Sequence, residues 1–142
     1  IRDDKTFRSL TYNWFENSSL IKIIKTAAEN GFKLVITTDH GTIYVKKPSK
    51  VVGDRETSTN IRYKTGRSLT YEDKDVWAIN NPDKLFLPKG NLSSKYIFAK
   101  NNIFLAYPKN YNHFVNYYKD TYQHGGISLE EVIIPISILE PK

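Results

Sequence analysis

The chain has 142 residues, enough for one domain with a core of its own, and its 21 basic and 15 acidic side chains leave a net charge of +6. Its 39% hydrophobic and 13% aromatic content argues for a folded chain, because disordered segments lack that apolar share. With no Cys it excludes a disulfide framework, an iron–sulfur cluster, a thiolate zinc site and a Cys nucleophile, so any metal must be held by His or oxygen donors.

In chain order, Phe7, Leu10, Trp14 and Phe15 recur at helical spacing and predict a short helix over Asp3 to Phe15. Ser18 and Ser19 are capping residues for a second helix running to about Asn30, with Gly31 just past its end. Leu20, Ile23, Ile24, Ala27 and Ala28 would form its buried face. Phe32 to Thr37 is a continuous apolar run, read as a strand covered on both faces, and Thr42 to Val45 as the next strand. Lys46 to Arg67 holds seven basic residues against Asp54 and Glu56, so +5 of the total charge lies there. Pro48, Gly53 and Gly66 break any long helix, and the segment reads as a loop or excursion from the sheet. Val76 to Ile79, Tyr96 to Ala99 and Ile103 to Tyr107 predict strands, the last two joined through a turn at Lys100-Asn101-Asn102. Tyr111 to Tyr122 predicts an aromatic-rich helix ending at Gln123-His124-Gly125-Gly126. A helical turn at Ser128 to Glu131 then leads into a last strand, Val132 to Leu139. Pro135 and Ser137 interrupt that run, far short of the roughly 20 apolar residues a membrane helix needs, so no membrane insertion is expected. The expected fold class is α/β with a mixed sheet. The start at Ile1 predicts an internally cut piece of a longer protein or a processed product.

Asp39 and His40 stand at the carboxyl end of a predicted core strand, where open α/β sheets place ligands. With Gly41 behind them they read, from spacing alone, first as a turn and otherwise as half of a divalent metal site. His124 reads as a ligand or as a helix-terminal residue facing the dipole, with Gly125-Gly126 as its C-cap. His113 reads as a partly exposed helix residue. No Ser-His-Asp triad, glycine-rich phosphate loop or carboxylate pair stands out. The basic segment is a solvated face or a phosphate-recognition surface: Lys50, Arg55, Arg62, Lys64 and Arg67 lie close together, with Tyr63 available for stacking. Its three Arg can grip phosphate bidentately.

The strings LVITTDHGTIYV (Leu34–Val45) and QHGGISLEEVIIP (Gln123–Pro135) together resemble the carboxyl-terminal part of PglZ domains of the alkaline phosphatase superfamily. The stretch between them, KPSKVVGDRETSTNIRYKTGRSL, resembles more narrowly the PorX-type response regulators of Bacteroidetes, in which a receiver domain precedes a PglZ effector and which are associated with type IX secretion. The resemblance implies a partial alkaline-phosphatase-like α/β/α sandwich over residues 1–142, cytoplasmic and bacterial, with two divalent ions, usually zinc. It implies that Asp39 and His40 bind the metal that activates the nucleophile and that His124 binds the second. The nucleophile and remaining ligands would lie upstream of Ile1, because Asp3 and Asp4 lack the His the family pattern needs and no Thr here matches the nucleophile motif. The fragment alone would then be inactive. In the intact protein it implies a phosphoester or phosphodiester hydrolase acting on a phosphate-bearing substrate, with phosphorylation-driven homodimerisation. Arg55, Arg62, Lys64 and Arg67 are the expected substrate-capturing residues, and a nucleotide or oligonucleotide fits their charge. The rival reading is a non-catalytic signalling or binding module with a vestigial or structural metal site.

Overall fold

The computed structural model describes residues 3–54, 57–90 and 92–141. They form two compact units, one of residues 1–39 with 134–142 and one of residues 40–133.

In the first unit Asp3 opens α1 (Asp4–Asn17): its carboxylate accepts the Thr6 amide at 2.8 Å and the Thr6 hydroxyl at 3.0 Å. The helix runs 14 residues, past the predicted end at Phe15. Ser18 stands at the N-cap of α2 (Ser19–Glu29), yet its hydroxyl donates back to the Phe15 carbonyl at 2.9 Å and so closes α1. Helix α2 ends as its Gly predicts. Gly31 takes φ +73, its amide reaches the Ala28 carbonyl and the Phe32 amide the Ala27 carbonyl, the two bonds of a Schellman turn. Leu20, Ile24 and Ala27 are half-buried, whereas Ile23 is 60% exposed and Ala28 is exposed, so the covered stripe is narrower than the sequence predicts. Strand β1 (Leu34–Thr37) pairs antiparallel with the last strand, β11 (Ile136–Leu139). Along β1 half-buried and exposed residues alternate, which differs from the predicted strand covered on both faces. The final run Val132 to Leu139 becomes a strand only after Pro135, because a proline before Ile136 holds the chain off the ladder.

The second unit holds the buried core. In it lie β2 (Ile43–Val45), β3 (Lys47–Lys50), β4 (Val52–Gly53), β5 (Tyr63–Gly66), β6 (Leu69–Thr70), β7 (Val76–Ile79), β8 (Lys95–Ala99), β9 (Ile103–Ala106), α3 (Tyr111–Tyr118), β10 (Thr121–Gln123) and α4 (Leu129–Val132). The basic segment read as a loop contains β3, β4 and β5. Pro48 sits in β3, which pairs with β9 alone among the described strands, and on such an edge a missing amide donor costs little. Strand β9 is buried throughout and divides the core. Ile103 and Leu105 pack with Val51, Val76, Ile97 and Ala99, while Phe104 and Ala106 on the opposite face pack with Ile43 and Val45. Burying a side chain such as Phe104 contributes about 2–3 kcal/mol. The turn at Lys100-Asn101-Asn102 forms, with Asn101 at φ 45 and the Ile103 amide on the Lys100 carbonyl. It does not join a hairpin, because β8 pairs with β5 and β7 while β9 runs parallel to β3. Antiparallel and parallel ladders together make the arrangement mixed α/β, as the sequence predicts. Among the described residues no helix is long and apolar enough to cross a membrane.

Candidate functional site

The predicted helix over Tyr111 to Tyr122 stops at Tyr118. Asp120 turns the chain at φ 60, and Thr121–Gln123 leave as strand β10. That strand pairs antiparallel with β2, Gln123 opposite Ile43. Running the two strands in opposite directions brings the residues after Gln123 to the residues before Ile43, which is how His124 meets His40. His124 therefore follows a strand, and its reading as a helix-terminal residue does not hold. The two imidazoles stack with centroids 3.7 Å apart and planes 11° from parallel. His40 is half-buried and His124 exposed.

The Nδ1 of His40 lies 2.8 Å from the Gly41 carbonyl oxygen. A carbonyl only accepts, so Nδ1 is the donor, and Nε2 is the ring nitrogen left for a ligand. Asp39 is the last residue of the other unit, in the bend after β1, where it is exposed and joined to His40 by the peptide bond. The two imidazoles fit zinc in donor type. Among the described residues no three His, Asp or Glu side chains converge, so the fit is to part of a ligand set. His113 is exposed on α3, its ring 6.4 Å from that of Tyr117, and plays no part here.

The glycines of both motifs answer to close approach. A Cβ on Gly41 would lie 2.1 Å from the Glu130 carbonyl oxygen, and one on Gly126 would lie 2.5 Å from the Glu131 Oε2. Gly125 sits at φ +97 with Asn60 directly against it. Glu131 is the residue the sequence reading missed as part of this neighbourhood, although the Ser-x-x-Glu spacing of Ser128 and Glu131 announces a capping carboxylate. Burial would raise its pKa, but hydrogen bonds and the charge of Arg62, with bonds from Gly126 and Ser128, hold it below the usual value.

The basic residues part company. Arg55 lies outside the described residues. Arg62 is fully buried, its guanidinium against Glu131, and Lys64 is 1% exposed because the alternation of β5 turns it toward the core beside Ile97. Neither side chain meets solvent, where the sequence reading places substrate capture. Arg67 is exposed, and with Thr65, Lys89, Ser94 and Tyr96 it lines an open depression of about 520 Å³.

The model of the BREX system PglZ alkaline phosphatase-like domain matches residues 1–138. The chain belongs to the PglZ family. No curated protein matches it. Membership places this PglZ chain on a phosphoesterase-type fold, and the mixed α/β architecture agrees with part of one. It also gives the paired histidines a context: both come from the two segments, Leu34–Val45 and Gln123–Pro135, whose resemblance to PglZ domains the sequence carries.

Proposed function

We propose that this chain supplies metal-binding residues to a zinc-dependent phosphoester or phosphodiester hydrolase domain, as the carboxyl-terminal part of a cytoplasmic bacterial effector of the PorX type, controlled by a receiver domain. The observation that carries the reading is the contact of His40 with His124, two residues far apart in sequence whose rings lie 3.7 Å apart. Asp39 and His40 would serve one divalent ion and His124 the other. Bound, such a pair supplies electrostatic stabilisation of attacking and leaving oxygens in an in-line displacement. The chain's own part is to hold two imidazoles in place, His40 through its bond to the Gly41 carbonyl. No residue of this chain is assigned the nucleophile.

Substrate capture rests on Arg67, with Lys89 beside it and the Tyr96 ring at the same depression. A guanidinium, an ammonium and an aromatic ring suit a phosphate-bearing substrate such as a nucleotide or oligonucleotide. Arg67→Ala in the intact protein should raise KM for a phosphodiester several-fold with little change in kcat; an unchanged KM would remove Arg67 from the binding surface.

Zinc titration of the full chain tests the metal reading. The wild type should bind zinc, and His40→Ala and His124→Ala should each weaken binding tenfold or more, at the scale of losing a ligand or its support (about 10–100-fold). Indifference to both substitutions would favour the rival, a non-catalytic binding module, which draws on the absence of a third converging donor among the described residues.

A further inference from the structure

We propose that Glu131 is the positioning residue that sets the contact between His40 and His124, and that Arg62 fixes Glu131 to the core. The β2–β10 ladder ends at Ile43 and Gln123, short of both histidines. Beyond that end Glu131 bonds to both loops. Its backbone carbonyl accepts the Gly41 amide at 2.9 Å, one residue from His40. Its carboxylate accepts the Gly126 amide at 2.9 Å through Oε1 and the Ser128 amide at 3.2 Å through Oε2, two and four residues past His124. One residue of α4 thus touches the His40 loop with its main chain and the His124 loop with its side chain.

A carboxylate holding two loops must itself be held. Arg62 donates from Nε to Oε1 at 2.8 Å and from Nη2 to Oε2 at 2.9 Å, a bidentate pair whose side chains are 0% and 1% exposed. The remaining guanidinium nitrogen, Nη1, donates to the Ile103 carbonyl on β9, the strand at the centre of the core. The connection therefore runs from β9 through Arg62 and Glu131 to each histidine loop. Gly126 fits it closely, since a Cβ there would strike Oε2, and Gly41 likewise, since a Cβ there would strike the neighbouring Glu130 carbonyl. The far side of the His124 loop is walled by Asn60, whose Oδ1 accepts the amides of Arg62 and Tyr63. A buried ion pair is weak evidence of stabilisation by itself, because desolvation opposes the attraction. Here its geometry has a specific product: the separation of two imidazoles.

The proposal deepens the metal reading and rests on it for its consequence, but the contact can be measured without metal. In the metal-free full chain, NMR should show cross-relaxation between ring protons of His40 and His124 in the wild type and in Glu130→Gln, which removes an adjacent exposed charge. Glu131→Gln and Gly126→Ala should weaken or abolish it, and should lower zinc affinity about tenfold or more, in the range found for outer-shell partners. Should either single variant not fold, Arg62→Met with Glu131→Met supplies the comparison, because apolar replacement of a buried pair is often tolerated. Folded variants that keep the ring contact would overturn the proposal. So would loss of the fold in every variant, which would make Glu131 a general structural residue. A wild type with the ring contact but no zinc binding would refute the metal reading and leave the positioning role standing.

Discussion

Lys64 shows what happens when a residue of a basic segment is folded inward. Its neighbours along β5, Tyr63 and Thr65, turn to the opposite face, and alternation leaves Lys64 across from Ile97. Its ammonium donates to the Ser58 carbonyl at 3.2 Å and lies 4.1 Å from the centroid of the Tyr107 ring, whose hydroxyl donates to the same carbonyl at 2.7 Å. These contacts offset only part of the lost hydration: burial lowers the Lys64 pKa from 10.5 to about 8 and raises that of Tyr107. The consequence for stability has a definite sign. Between about pH 8 and 10.5 the unfolded chain keeps a proton that the folded chain has released, so the Lys64 contribution to stability rises with pH across that window. Below it the lysine is charged in both states and the cost of burying that charge is paid in full. Urea denaturation of wild type and Lys64→Met should therefore show the wild type gaining on the variant from pH 7.5 to 10. A difference independent of pH would mean that Lys64 titrates as a solvated amine.

At the scale of elements, what the sequence shows and what it hides divide along local and non-local lines. Val76–Ile79 is the strand predicted, β8 and β9 begin or end within a residue of prediction, and the Gly31 stop of α2 is where the sequence puts it. Each depends on neighbours in the chain: a short β-branched run, or a glycine at a helix end. Strand β10 is the contrasting case. Thr121-Tyr122-Gln123 continues the aromatic pattern of α3 and reads as more helix, and only its pairing with β2, almost eighty residues earlier, makes it a strand. That pairing is what joins the two histidine motifs, so their meeting was implied by the resemblance to PglZ domains and by no local pattern of the sequence. Arg62 is similar. Nothing adjacent distinguishes it from Arg67, and its burial follows from a carboxylate 69 positions away. The parallel pairing of β3 with β9 across Pro48 was hidden for the same reason, since a proline removes a donor that a central strand needs and an edge position does not.

For the molecule as a whole, the two units differ in how they bury apolar surface. In the unit of residues 40–133, β9 and its two flanking clusters are closed, with Val45, Val51, Phe104 and Leu105 at 0% exposure. In the unit of residues 1–39 and 134–142 no described residue is fully buried, and Trp14, Val35, Ile136 and Ile138 are each more than 60% exposed. Val35 stands opposite Ile138 and Thr37 opposite Ile136, so the exposure of Val35, Ile136 and Ile138 is gathered on one face of the β1–β11 ladder. A two-stranded ladder without a covered apolar face is marginal in water, and local opening follows burial. Amide hydrogen exchange of the full chain should accordingly be slowest in β8 and β9 and markedly faster in β1 and β11, although all four strands are hydrogen-bonded. Equal protection across them would mean that the β1–β11 face is covered in solution. The histidine pair lies wholly within the unit expected to exchange slowly, fastened by Arg62 to the strand at its centre, whereas Asp39 lies at the end of the unit expected to open. If the exchange divides as described, the proposed metal reading has His40 and His124 held in place within their own unit before any metal arrives.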